Sequence, residues 1–158
     1  MKKIHKLNKS NFNQCTNLFV DVHEEGLYFQ ALGWNENQIF KQLSKITDYS
    51  IGIFENKELL AFVLGDLIFI EKVSEYEILF IYVKKNYRNQ GLASRLLKTI
   101  YLQKNIKNLN KIFLEVADDN KEALKLYKSH NFKLLNVRKN YYQINNNQIN
   151  ALCFVKNL

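Results

Sequence analysis

The sequence is most constrained by a strand, a helix and a second strand in quick succession. Tyr76–Val83 (Tyr-Glu-Ile-Leu-Phe-Ile-Tyr-Val) is apolar on both faces apart from Glu77, as a central sheet position requires. Gly91–Lys104 follows with Leu92, Leu96, Leu97, Ile100 and Tyr101 along one side of a predicted helix, and Lys111–Val116 is a second, mostly apolar strand. A strand–helix–strand unit of about 40 residues implies a parallel pair joined by a right-handed crossover. Hairpins are predicted on both sides of it. Tyr49–Phe54 and Leu59–Ile70 flank an Asn56-Lys57 turn, and Lys133–Tyr142 and Gln148–Val155 flank Asn145-Asn146-Asn147. The expected architecture is therefore α/β with a mixed sheet.

The first half adds a short strand at Ile4–Leu7 and a helix over Asn11–Glu25, with Cys15, Leu18, Phe19 and Val22 at helical spacing and Gly26 just past its end. Asn35-Glu36-Asn37-Gln38 has capping-box spacing ahead of Ile39, Phe40 and Leu43, and Trp34 is placed to staple the entry of that helix. Lys121–His130 reads as a further helix. No linker or repeat divides the 158 residues, so a single domain over residues 1–158 is expected, large enough to bury a core.

Composition narrows the functional classes. The longest mostly apolar run, Leu59–Ile70, is interrupted by Gly65 and Asp66 and is too short for a membrane span. The basic start, Met1-Lys2-Lys3-Ile4-His5-Lys6, is followed by polar Asn8–Gln14 where a signal peptide needs an apolar segment, so a soluble cytoplasmic protein is expected, with no membrane partner. Cys15 and Cys153 are far apart, and His5, His23 and His130 are scattered, so no disulfide and no metal site is expected. The net charge of +8 comes mostly from lysine, the arginines being Arg88, Arg95 and Arg138. Phosphate readers favour the planar fork of arginine, so a solvated lysine surface is expected rather than direct nucleic-acid binding. The charge would still steer an anionic ligand.

The chemistry-bearing stretch is Tyr82-Val83-Lys84-Lys85-Asn86-Tyr87-Arg88-Asn89-Gln90-Gly91-Leu92-Ala93-Ser94-Arg95-Leu96-Leu97. A buried strand runs into a polar loop, and a helix starts at a glycine. Helix starts leave amide N–H groups unpaired at the positive end of the helix dipole, which suits phosphates. Gly91 and Ala93 keep the approach to those amides open, and the loop lies at the carboxyl end of a strand, where ligands of α/β sheets bind. The same residues also fit a plain strand-to-helix turn. Neither the P-loop ending nor the three-glycine dinucleotide fingerprint is present.

Arg88-x-x-Gly91-x-Ala93 resembles the acetyl-CoA pyrophosphate loop of the GNAT acetyltransferase superfamily. Phe113-Leu114-Glu115-Val116-Ala117-Asp118-Asp119-Asn120-Lys121-Glu122-Ala123-Leu124-Lys125-Leu126-Tyr127-Lys128-Ser129-His130-Asn131-Phe132 is similar to that family's L-E-V-x-x-x-N-x-x-A-x-x-L-Y-x-x-x-G-F block. Arg138-Lys139-Asn140-Tyr141-Tyr142, with Ala151-Leu152 beyond it, and Trp34-Asn35-Glu36 resemble the subgroup of bacterial ribosomal-protein N-terminal alanine acetyltransferases. Two departures stand out. Asn131 replaces a glycine, a swap that left-handed backbone tolerates in Asn. Asn89 replaces a frequent arginine, leaving Arg88 and Arg95 to compensate.

The resemblance implies a mostly antiparallel mixed sheet with a central parallel strand pair, flanked by about four helices. It implies acetyl-CoA as co-substrate, no metal, and direct attack of a primary amine on the thioester. The diphosphate cradle would comprise Arg88, Asn89, Gln90, Gly91, Leu92, Ala93 and Ser94. Ile81, Tyr82 and Val83 would offer backbone groups to the pantetheine arm, and Asn120 would also contact it, freed from helix capping by the capping-box pair Asp119 and Glu122. Tyr127 is the implied proton donor, because a phenol can hydrogen-bond a departing thiolate and resupply its proton. Glu115, in an otherwise apolar strand, is the first candidate base. Glu77 is the second; it lies three residues, about 10 Å, from Phe80 and would act through water. Tyr141 and Tyr142 are candidates for holding a substrate peptide.

At pH 7 roughly one α-amine in ten is neutral, against far fewer than one lysine in a thousand, so a weak base suffices for N-terminal acetylation. The acceptor implied is the N-terminal alanine of a ribosomal protein. The alternatives are a small amine such as a polyamine or aminoglycoside, a protein lysine, or a non-catalytic ribosome- or RNA-binding module on the same scaffold. A strongly acidic acceptor groove would mark a polycationic substrate.

Overall fold

The computed structural model describes residues 1–20, 23–144 and 146–158. Its centre is a seven-stranded sheet built from β1 (Lys3–Lys6), β2 (Ile51–Glu55), β3 (Glu58–Ile70), β4 (Val73–Val83), β5 (Leu109–Ala117), β6 (Lys133–Ile144) and β7 (Asn147–Asn157), in the order β1-β2-β3-β4-β5-β7-β6. Only the β4–β5 pair is parallel, as the strand–helix–strand pattern requires; the other pairs are antiparallel. The Asn56-Lys57 turn has both residues at positive φ (50° and 70°), the geometry that matches strand twist in a tight hairpin.

Helices cover both faces. Leu60, Ala61 and Val63 of β3 pack with the helices α4 (Leu92–Tyr101) and α6 (Lys121–Ser129), where Leu92, Leu96, Leu97, Ile100 and Tyr127 are buried. Leu59, Phe62 and Leu64 face α1 (Phe12–Val20) and α3 (Glu36–Gln42), meeting Cys15, Leu18 and Ile39. The remaining helices are α2 (His23–Ala31) and the short α5 (Gln103–Lys107). No helix among the described residues is long and apolar enough to cross a membrane.

Several sequence expectations change. Gly26 does not end a helix: α2 runs through it to Ala31, and the stop comes at Gly33, which takes φ +88° while Trp34 N–H bonds Phe29 O at 2.8 Å. A glycine inside a helix costs propensity but does not by itself break the hydrogen-bond ladder. The part of the predicted Asn11–Glu25 helix at Asp21-Val22 lies outside the described residues. Asn35 caps α3 as expected, accepting from Gln38 N–H at 3.0 Å, and the Trp34 ring stacks on Phe80 with centroids 5.0 Å apart. The predicted Gly91–Lys104 helix divides into α4 and α5, with Gly91 outside as the cap.

One irregularity positions the site. The β3–β4 register shifts between Leu64 and Gly65, leaving Leu79 as an extra residue on β4. Before this bulge Tyr76 and Ile78 point toward α4; after it Phe80 and Tyr82 point to the opposite face. The bulge depends on Gly65, where an added Cβ would meet the Tyr76 hydroxyl and lie 2.6 Å from Glu77 O. Tyr76 cannot yield, because it is fully buried and its hydroxyl donates to Tyr49 O at 2.9 Å. Gly65→Ala should therefore cost about 3 kcal/mol by overpacking. That lowers the melting temperature by roughly 10 °C in a calorimetric scan, and an unchanged midpoint would refute the close approach.

Candidate active site

The β4–β5 ladder runs from Ser74 and Leu109 to Ile78 and Leu114 and stops there. Both strands continue, Phe80–Val83 paired only to β3 and Glu115–Ala117 paired only to β7, so the parallel pair opens into a fork at its carboxyl end. In an antiparallel pair every second residue turns its N–H and C=O away from the partner, so this stretch of β4 presents backbone groups to the fork. A cleft of about 910 Å³ fills it. Ile81, Tyr82 and Val83 line one wall, the loop and helix start from Arg88 to Ser94 line the floor, and Asn120 with the first turns of α6 lines the other wall. Of the residues expected to hold the co-substrate, only Gln90 does not line the cleft. Its amide is turned toward the first strand, accepting from Lys2 Nζ at 3.0 Å and donating to Asn86 O at 3.3 Å.

Gly91 caps α4 with φ +74°, and Asn89 before it also has positive φ (60°). Asn is among the few side-chain-bearing residues that accept this conformation, so at position 89 it serves the turn. A Cβ built on Gly91 would meet no atom within 4 Å: it would stand in open space. No side chain caps α4, and the first helical bond is Arg95 N–H to Gly91 O, which leaves the amides of Leu92, Ala93 and Ser94 without helical acceptors. The floor is thus shaped for an anion.

The cations are arranged differently from expectation. Arg88 is engaged by Glu25 of α2 through two hydrogen bonds, at 2.6 and 2.7 Å, and its Nε donates to Val83 O at 3.1 Å. Tyr82 also donates to Glu25, at 2.9 Å. The Arg88 hydrogen bonds hold the Glu25 carboxyl below its usual range, against the opposing effect of burial. Arg95 does not compensate for Asn89, since its guanidinium donates to Lys2 O at 2.9 Å, toward β1. Lys121 and Lys125 line the cleft instead, Lys125 paired with Glu122 at 2.9 Å. The α2 wall (Glu25, Tyr28, Phe29) carried no sequence signal, because the apolar residues of that helix show no single-sided pattern. Phe29 packs edge-on against Phe80 and Tyr82, and Tyr28 donates to Asp119 at 2.8 Å, joining α2 to the loop before α6.

Asn120 is the actual cap of α6, its Oδ1 accepting from Ala123 N–H at 3.1 Å, so the expected Asp119–Glu122 capping box is not formed. The Asn120 amide nitrogen has no partner among the described residues and the residue lines the cleft, so capping and ligand contact are compatible. Ser94 Oγ lies 2.8 Å from His130 Nε2, and Tyr101 Oη 3.1 Å from Nδ1. Burial, with Lys98 and Lys156 nearby, keeps His130 below its usual pKa and therefore neutral.

Glu115 is the first β5 residue past the last β4–β5 pair, on the sheet face opposite α4. Its carboxylate is paired with Arg138 at 2.9 Å and approached by the Tyr142 hydroxyl at 3.4 Å and the Cys153 thiol at 3.3 Å. Glu77, paired with Phe113, stands two register positions inside the sheet from Glu115 on the same face. It has no hydrogen bond or ion pair among the described residues, and its pKa is raised by burial and by the Asp66 and Glu115 charges, Lys45 opposing. Tyr127 is 4% exposed, packed edge-on against Phe132, and its hydroxyl makes no hydrogen bond to the described residues. Among the described residues no fully occluded side-chain oxygen or nitrogen lacks a partner, so that hydroxyl is not sealed in. Burial raises its pKa, keeping it protonated at neutral pH. Tyr127 is not itself a lining residue of the cleft, though Ala123 and Leu126 of its helix are. Tyr141 lies under the Arg138 guanidinium, 3.6 Å from ring centre to Cζ, and meets Tyr142 edge-on. Cys15 is inert: burial and the Asp48 charge push its thiol up to about 12. The described residues contain no cluster of three or more His, Cys, Asp or Glu side chains suited to a metal.

Comparison with known proteins fits this geometry. An N-alpha-acetyltransferase, RimI, of Mycobacterium tuberculosis is 34% identical over 70 residues, covering 44% of this chain and 42% of that protein. The chain thus aligns with less than half the length of that relative. The ribosomal-protein-S18-alanine N-acetyltransferase of Escherichia coli superposes with a TM-score of 0.83 at 21% identity, over 99% of this chain and 94% of the other. Arabidopsis thaliana NAA60 in complex with acetyl-CoA superposes at 0.80 with 17% identity, over 100% and 99%. The profile of the acetyltransferase (GNAT) family matches residues 11–132, most of the length and all of the fork, and the chain belongs to that family.

Proposed function

We propose that this protein is an N-acetyltransferase that moves the acetyl group of acetyl-CoA to the α-amine of a protein N-terminus. The carrying observation is the fork floor: a left-handed glycine cap open to space, three helix-start amides without helical acceptors, and, beside them, Asn120 and the stretch of β4 that no longer pairs with β5. These groups fit a diphosphate followed by an amide-bearing arm. Gly91, Leu92, Ala93 and Ser94 would hold the diphosphate, with Arg88 exchanging Glu25 for it. Ile81, Tyr82, Val83 and Asn120 would hold the arm. Acetyl-CoA, when bound, supplies a thioester open to attack by an amine.

The residues flanking the fork divide the proton work. Glu115, placed where the strands part and paired with Arg138, takes the amine proton through water; Tyr127 donates toward the leaving sulfur. Three carboxylates here are matched by cations, Glu115 by Arg138, Glu122 by Lys125 and Glu25 by Arg88, and Tyr28 and Tyr142 add aromatic surface. That disfavours a polycationic small amine. A peptide N-terminus, one-tenth neutral at pH 7, needs only a weak base. Together with the RimI and ribosomal-protein relatives, this points to an N-terminal alanine of a ribosomal protein as the acceptor.

The direct test is free-thiol release from acetyl-CoA with peptides that differ only in their first residue. Release with alanine-starting peptides and not with polyamines or N-blocked lysine peptides is expected; the reverse order overturns the acceptor assignment. Glu115→Gln should lower kcat about 100-fold with the co-substrate Kd unchanged, and Glu77→Gln should change it less than threefold. The opposite pattern would make Glu77 the base, for which its raised pKa suits it.

A further inference from the structure

At the fork floor, Ser94 joins two further side chains that acetyl transfer itself does not use. Ser94 and Tyr101 stand at opposite ends of α4, two helical turns apart on one face, and long helix side chains lean back toward the helix start. His130 closes the gap between them: its Nε2 lies 2.8 Å from Ser94 Oγ and its Nδ1 3.1 Å from Tyr101 Oη. We propose that His130, held by Tyr101, is a positioning residue for the co-substrate: its Nε2 proton goes to the Ser94 oxygen, which leaves the Ser94 hydroxyl proton free for the diphosphate. This role rests on the reading of the floor as the diphosphate site.

Three elements fix the ring. At the end of α6 the His130 N–H bonds Leu126 O and Tyr127 O at 3.1 and 3.2 Å, and its carbonyl accepts from Lys156 Nζ of β7 at 2.9 Å. From α4 the Tyr101 ring meets the imidazole at 59°, with centroids 5.7 Å apart. Ser94 lines the cleft, as do Leu126 and Ser129 from the last turn of α6 before His130. The serine therefore meets the imidazole and borders the ligand space.

Two proton arrangements are open to these groups. Burial and the nearby Lys98 and Lys156 charges keep the imidazole neutral, so one ring nitrogen donates and the other accepts. Burial also keeps the Tyr101 phenol protonated. In the first arrangement Tyr101 donates to Nδ1, Nε2–H donates to Ser94 Oγ, and the serine proton is free. In the second both bonds reverse, and the free proton is that of Tyr101. Neither hydroxyl has another partner among the described residues, so the choice falls to whichever free proton finds an acceptor. The Ser94 end borders the floor, where a diphosphate brings anionic oxygens. The Tyr101 ring lies under the Lys156 ammonium, 5.1 Å from its centre, which donates only. Bound diphosphate thus selects the first arrangement, and a hydroxyl that accepts from one partner while donating to another is strengthened as a donor. Without the imidazole, a helical serine turns its proton back to the carbonyl four residues earlier, here Gln90 O.

The test is isothermal titration of coenzyme A into the full chain and its variants, with pantetheine, which lacks the diphosphate, followed by NMR titration. Ser94→Ala should weaken coenzyme A about 20-fold, the size of a lost hydrogen bond to a charged group, and leave pantetheine unchanged. His130→Leu should weaken it about fivefold, the size of an ordinary hydrogen bond, and His130→Gln, which keeps a side-chain N–H donor, should restore most of that loss. In a Ser94→Ala background His130→Leu should cost nothing further, because the ring acts only through the serine. An equal loss in both backgrounds, or a matching loss for pantetheine, overturns the proposal and makes His130 a structural cap of α6. Wild-type affinity in Ser94→Ala or His130→Leu, with Gly91→Glu still abolishing binding, overturns it while the floor stands. Wild-type affinity in Gly91→Glu as well removes the floor and this role together. Imidazole nitrogen NMR of the wild-type coenzyme A complex gives a readout that needs no variant to fold: the proton of His130 should sit on Nε2, and a proton on Nδ1 alone overturns the proposal.

Discussion

Gly91→Glu should abolish coenzyme A binding while leaving the fold in place. Position 91 has φ +74°, so any Cβ there carries strain of about 1 kcal/mol, but the side chain has open space to enter. The larger effect is electrostatic. A carboxylate about 5 Å from a phosphate charge, at an effective dielectric near 20, costs roughly 3 kcal/mol, which is more than 100-fold in Kd. Isothermal titration with coenzyme A reads this directly. Gly91→Ala, which adds strain and no charge, should weaken binding less than tenfold. Wild-type affinity in Gly91→Glu would mean that the diphosphate lies elsewhere, and the assignment of the fork floor would fail.

Tyr127→Phe should lower kcat by about 100-fold, the range of a lost general acid, with little change in Kd or melting temperature. The separation is expected because the hydroxyl makes no hydrogen bond to the described residues while the ring packs on Phe132. Phenylalanine keeps that packing and strands no buried partner. Equal turnover in the variant would make Tyr127 a core residue alone. A large fall in melting temperature would instead reveal a hydrogen bond that the ring depends on.

The parts of the site legible in sequence are those written within one turn or loop. The Gly91 and Ala93 spacing, the Asn120–Tyr127 spacing on α6 and the apolar β4 strand are local patterns, and one cleft is lined by Ile81, Tyr82, Val83, Gly91, Ala93 and Asn120. Reading failed where a side chain had a choice of partners. Asn120 was expected to be released by Asp119, but Asp119 is taken by Tyr28, 91 positions earlier. Arg88 was expected to wait for phosphate, but Glu25, 63 positions away, holds it. Glu115 looked like an isolated carboxylate in an apolar strand; Arg138 and Tyr142 reach it across β7.

Short-range order thus came from the chain alone: which segments are strands, which are helices, where turns need Asn or Gly, and that β4 and β5 run parallel around a crossover. These follow from hydrogen-bond periodicity and backbone sterics, which act within a few residues. Where the sheet opens and which carboxylate neutralises which arginine belong to the tertiary structure. Each depends on register and on a bulge such as the one at Gly65, and a shift of one residue there turns every following side chain to the other face.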